Sequence, residues 1–250
     1  MKNCLKTFGL LSIVCIVSLS CTKGKTSYAQ YNYQPTDTTG NPNDTTKTTN
    51  PKFTYLALGD SYTIGQSVQV NERFPAQATQ ILLNDSIKIQ TPEYIAATGW
   101  TTLNLLSAIN QQNPLHNYDI VTLLIGVNDQ YQRLDTGSYR IRFSQLLDSA
   151  IAFAANKKSR VFVLSIPDYS VTPFVSSSDK SRVSMEIDWF NNINKQITLQ
   201  KQVSYIDITP STRQGANDIT LIANDGLHPS GKEYSKWANL LAPLIKNVLK

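Results

Sequence analysis

The chain has 250 residues, 41% of them apolar, enough to bury one sizeable core with segments to spare. Its net charge of +5 is mild and its Lys and Arg form no cluster, which argues against a nucleic-acid partner. Cys4, Cys15 and Cys21 all fall within the first 21 residues, so the remainder can form no internal disulfide and offers no Cys nucleophile or Cys metal site.

The opening MKNCLKTFGLLSIVCIVSLSC joins a short basic segment to an apolar run from Phe8 to Leu19, with small residues before Cys21. The run is short for a membrane span and predicts a signal peptide over residues 1–20. Its Ser-Leu-Ser-Cys ending resembles a bacterial lipoprotein cleavage site, with Ser18 where leucine is usual. That resemblance implies a lipid on Cys21 and an exported protein tethered to a membrane of the cell envelope. Residues 21–52 follow, with TDTTGNPNDTTKTTNP at their centre and no apolar periodicity. Such a segment buries too little surface to offset its ordering entropy, which predicts a disordered linker.

From Phe53 onward, apolar runs alternate with amphipathic stretches, the pattern of strands joined by crossover helices. Strands are expected at Phe53 to Leu58, Lys88 to Ala96, Tyr118 to Ile125, Arg160 to Ile166 and Val203 to Ile208. Helices are expected at about Pro75 to Leu83, Thr101 to Asn110, Ser138 to Ala155, Ser181 to Leu199 and Gly231 to Leu249. Several strands are apolar on consecutive residues, as parallel strands covered on both faces must be. Residues 53–250 therefore read as one α/β domain, a three-layer α/β/α sandwich around a five-stranded, doubly wound parallel sheet of flavodoxin-like type. Ligands of such folds bind beyond the carboxyl ends of the strands.

The side chains expected on that rim carry chemistry. The first strand ends at Gly59-Asp60-Ser61, the second at Thr98-Gly99-Trp100, the third at Gly126-Val127-Asn128-Asp129, and the loop before the last helix holds NDGLHPSG. A serine hydroxyl needs a base, and His228 is the histidine on this rim; His116, the other of the two, precedes the third strand at the opposite edge. Asp225, three residues before His228, is near enough to orient the imidazole. The Ser61 amide, the Gly99 amide and the Asn128 side-chain amide are candidate oxyanion donors. Asp60 and Asp129 read as loop-ordering acids. No second His or dense carboxylate cluster joins them, so neither a metal nor another cofactor is expected.

These four blocks, LGDSYTIG, AATGWTT, GVND and DGLH, resemble those of the SGNH hydrolases, also called the GDSL esterase/lipase family. The resemblance runs from about Phe53 to the C-terminus, with Tyr62 where the family name expects leucine. It implies the SGNH fold, Ser61 as nucleophile and oxyanion donor, Gly99 and Asn128 as the other donors, and Asp225 and His228 completing a triad. The implied activity is hydrolysis of carboxylic esters through an acyl-enzyme. Tyr62, Trp100, Gln130, Tyr131, Asp168, Tyr169 and Leu227 are candidate pocket walls, and with no long apolar insertion to form a lid they point to short acyl groups, such as acetyl on carbohydrates or small esters. Lysophospholipase or thioesterase action on longer chains is the enzymatic alternative. A glycan-binding module of the envelope without turnover is the non-enzymatic one.

Overall fold

The computed structural model describes residues 53–250; the expected signal peptide, linker and lipidation at Cys21 lie outside them. In chain order the elements are β1 (Tyr55–Gly59), α1 (Ser61–Ile64), α2 (Phe74–Asn84), β2 (Glu93–Ala96), α3 (Thr102–Gln112), β3 (Ile120–Leu124), α4 (Val127–Tyr131), α5 (Thr136–Phe153), β4 (Val161–Leu164), α6 (Lys180–Gln200), β5 (Ser204–Ile206), α7 (Thr209–Thr212) and α8 (Gly231–Leu249). The five strands form one parallel sheet in the order β2-β1-β3-β4-β5. The order reverses at β1, so right-handed crossovers put α2 on one face and α3, α5 and α6 on the other, and α8, after the last strand, returns to the face of α2. Accordingly α2 packs against α8, while α3, α5 and α6 pack in succession.

Burial explains the strand sequences. Every residue of β1, β3 and β4 is buried, which demands the consecutive apolar runs YLALG, IVTLL and VFVL. On one face the core is aromatic: Phe74, Tyr234 and Trp237 are fully buried, and the Tyr234 and Trp237 rings meet edge to face at 4.9 Å. The Trp237 indole N–H donates to Glu233 Oε1 at 2.8 Å, so its polar atom is satisfied. On the other face Tyr139 packs on Phe190 at 4.5 Å and donates to Asn194 Oδ1 at 2.6 Å.

The expected strands are all present but shorter. The second shrinks most: Ile89 keeps a single bridge to Phe53, and ladder pairing resumes only at Glu93, after Pro92, which has no N–H to give. Three helices of one turn or little more, α1, α4 and α7, are too short for an apolar repeat to announce. Two of them, α1 and α4, begin where β1 and β3 end, on either side of the sheet's reversal point.

Candidate active site

Asp60 caps the turn that follows β1. Its Oδ1 accepts from the Tyr62 amide at 3.0 Å, and its carbonyl accepts from the amides of Thr63 and Ile64 at 3.1 Å. This makes Ser61 the first residue of α1, at the edge of the sheet, with its hydroxyl bonded to no other protein group among the described residues. Asp60 itself is fully buried, and its Oδ2 has no hydrogen-bond partner among the described residues. Burial pushes its carboxyl up to about 8, against the pull of the Tyr62 amide and with the charge of Asp129 adding to the rise.

The loop before α8 is closed by the Ile222–Pro229 bridge and by the Ala223 amide donating to the His228 carbonyl at 2.7 Å. Within it, Asp225 Oδ1 accepts the amides of Leu227 and His228, each at 3.0 Å, and Oδ2 lies 2.6 Å from His228 Nδ1. The ring is thereby fixed with Nε2 left over for other work. Burial pulls the Asp225 carboxyl upward, but the Ser67 hydroxyl and these loop donors outweigh it and hold the group well below the usual carboxylate range. The Tyr62 ring packs on the imidazole, centroids 5.3 Å apart and tilted by 55°.

Asn128 and Gly99 arrive from β3 and β2. Asn128 Nδ2 donates to the Trp100 carbonyl at 2.9 Å, which uses one amide hydrogen and leaves the second. Asp129 ties the same two loops together: its Oδ2 accepts the Thr102 amide at 2.8 Å, its Oδ1 the Thr102 hydroxyl at 2.6 Å, and Arg142 lies 3.3 Å from Oδ1. Two glycines are required here. Gly99 has φ +80 with open space where a Cβ would stand, so its demand is conformational as well as one of access. Gly126 has φ +127, and a Cβ there would come within 2.3 Å of the Tyr139 hydroxyl.

Ser61, Gly99, Asn128 and His228 all line one cleft with room for about 160 Å³, and Asp225 stands behind His228. Tyr62, Tyr131, Tyr169 and Leu227 form its walls, as expected. Three expected wall residues do not. Asp168 is buried, its Oδ2 taken by Arg213 Nε at 2.8 Å and Ser184 Oγ at 2.6 Å, its Oδ1 by the Ser170 amide at 2.9 Å. Three of that carboxylate's roughly four acceptor sites are spent on loop structure. Trp100 contributes its carbonyl to Asn128, and its half-buried ring packs against the core instead of lining the cleft. Gln130 also stands outside, its side chain held by Glu186 and Tyr169. Conversely, Phe174, Val127 and Thr98 line the cleft without having been singled out in the sequence. Phe174 follows a turn, where no periodicity marks it. Among the described residues no three His, Cys, Asp or Glu side chains converge to hold a metal ion.

The model of the GDSL-like lipase/acylhydrolase family matches residues 57–236, nearly the whole of this domain. The chain belongs to that family. No curated protein matches the sequence. Among solved structures, this GDSL hydrolase is similar to the lipase Lip_vut3 from a goat rumen metagenome, with TM-score 0.63 and 20% identity over 77% of this chain and 97% of that one. It is similar to the psychrotrophic esterase EstA from Pseudoalteromonas sp., with TM-score 0.58 and 18% identity over 79% and 99% of the two chains. It is also similar to the acetylxylan esterase Axe2 from Geobacillus stearothermophilus, with TM-score 0.58 and 16% identity over 78% and 94%. At these identities the likeness is one of fold, and the family membership makes the protein a hydrolase of esters.

Proposed function

We propose that this GDSL hydrolase cleaves carboxylic esters through an acyl-enzyme on Ser61, with short acyl groups, such as acetyl on carbohydrates or small molecules, as its substrates. One observation carries the reading: His228 backed by Asp225, the free Ser61 hydroxyl and the residues of three candidate oxyanion donors, Ser61, Gly99 and Asn128, meet in a single cleft. His228 Nε2 takes the Ser61 proton as Oγ bonds to the ester carbonyl carbon. The carbonyl oxygen becomes an oxyanion held by the amides of Ser61 and Gly99 and the spare Asn128 hydrogen. Asp225 stabilises the imidazolium, which then gives its proton to the departing alcohol as the C–O bond breaks. Water repeats the cycle on the acyl-enzyme and releases the acid.

Short acyl groups suit a cleft with room for about 160 Å³ whose walls are packed aromatics. Longer chains have one observation in their favour: Tyr131 and Phe174 stand half-exposed at the rim, their rings 6.1 Å apart, as an apolar ledge. A series of p-nitrophenyl esters from acetate to laurate separates the two readings, with turnover expected to fall with chain length. A maximum at laurate would transfer the proposal to longer acyl substrates, and no Ser61-dependent turnover on any ester would leave a binding module. The proposal extends to location: a signal peptide ending at Ser20 and a lipid on Cys21 would tether the domain at the cell envelope, which fatty-acid labelling of wild type and Cys21→Ala tests directly.

A further inference from the structure

The segment that leaves α1 hydrogen-bonds the backbone of Ser61, the loop that carries Gly99, and Asp225. The Gly65 and Gln66 amides both donate to the Ser61 carbonyl, the latter at 3.0 Å, so the segment begins on the nucleophile's own backbone. Two left-handed residues follow within three positions, Gly65 at φ 63 and Ser67 at φ 67. Glycine accepts that conformation freely, whereas a serine does so against its Cβ, a strain that persists only where surroundings over-determine it. The result is that adjacent side chains serve different loops. Gln66 Oε1 accepts from Thr98 Oγ1 at 2.7 Å, one residue before Gly99. Ser67 Oγ donates to Asp225 Oδ2 at 2.6 Å, across 158 positions of sequence.

We infer that Gln66 and Ser67 form a clasp, in which Ser67 is a positioning residue for the Asp225–His228 pair and Gln66 one for the Gly99 donor. Ser67 donates to the same Asp225 oxygen that faces His228 Nδ1, and among the described residues its bond is the only one Asp225 accepts from outside its own loop. It therefore fixes where that oxygen stands and shares its charge with the imidazole. The ionisable groups around His228 are Asp225, Tyr62, across the cleft Tyr131 and Tyr169, and across a small cavity behind the ring Asp168 and Glu233; Ser67 hydrogen-bonds only Asp225. Gln66 acts on the other arm, holding the strand-end loop of Gly99 at the distance the oxyanion needs. Neither side chain lines the cleft, so each works through another residue.

This inference rests on the proposed Ser61 chemistry, and its test is separable from that reading. Ser67→Ala and Ser67→Gly are compared with wild type on a short p-nitrophenyl ester. Glycine relieves the left-handed strain and alanine does not, so a loss arising from folding would differ between them. A loss arising from the hydroxyl would be shared. The expected result is a roughly tenfold fall in kcat for both, the size of a lost hydrogen bond to a charged group, with KM little changed. With one donor gone, Oδ2 carries more charge toward the imidazolium, so the acid limb of the kcat/KM profile moves to higher pH. Gln66→Leu is expected to lower kcat without moving that limb. A readout independent of turnover is the downfield proton signal of His228 Nδ1–H, assignable because His116 is the only other histidine; it is expected to shift in both Ser67 variants. Wild-type rates, limb and proton signal in Ser67→Gly would overturn the clasp while leaving Ser61 chemistry intact. Loss of the Ser61 assignment would appear separately, as full turnover in Ser61→Ala.

Discussion

The two arms of the cleft are built in opposite ways. The acid–base arm is local: Asp225 and His228 are three residues apart, and all but one of the hydrogen bonds that orient them close within their own loop. The oxyanion arm is assembled at long range, with Asn128 bonded to Trp100 across 28 positions and Asp129 to Thr102 across 27. A local arm survives disturbance elsewhere in the fold. A long-range arm is only as good as the contacts that bring its loops together.

That contrast sets the order of expected effects. His228→Ala removes the base itself, and a drop in kcat on the order of a millionfold is expected by steady-state assay, with the fold unchanged by circular dichroism. Asn128→Ala removes one oxyanion donor and is expected to lower kcat by about 10² to 10³ with KM little changed. Asp129→Ala touches no substrate. It leaves the part-buried Arg142 without its carboxylate and unpins the Gly99 loop, so a loss of about 3 kcal/mol in denaturant unfolding and roughly a tenfold fall in kcat are expected together. An Asp129 variant with lowered stability but wild-type kcat would break the claim that the oxyanion arm depends on long-range ties.

Asp60 acts on stability alone, through the burial of its carboxyl. Its carboxyl titrates near the ordinary value of 3.8 when unfolded and at about 8 when folded. A raised carboxyl stabilises the fold fully only below the unfolded value and loses that contribution as pH rises from about 4 through 8. The melting temperature of the wild type is therefore expected to fall between about pH 5 and pH 9 more than that of Asp60→Asn, measured by calorimetry. Equal slopes would mean that the buried carboxyl is ionised at little cost.

The same contrast governs what could be read from the sequence. DGLH was legible because a three-residue spacing already fixes the contact of Asp225 with His228, and GDS because a strand end, a cap and a nucleophile share one turn. The three central strands were legible because two-sided burial writes itself as unbroken apolar runs, and the long helices because one buried face recurs at helical spacing. Asp168 was misread as a wall because its place after β4 is visible in sequence and its partner Arg213, 45 positions on, is not. Trp100 was misread for the same reason, since its carbonyl, which no sequence pattern marks, is the group that serves the site. Phe174 reaches the cleft by loop geometry that periodicity does not encode.

The central claim is that Ser61 alone among the serines is the nucleophile, activated by His228 and served by both arms. Reaction with a small phosphonate ester, followed by intact-mass measurement and peptide mapping, tests it in one step. A single adduct is expected on Ser61 in the wild type, none in Ser61→Ala, and sharply slowed labelling in His228→Ala. An adduct that persists in Ser61→Ala, or labelling at wild-type rate in His228→Ala, would contradict it.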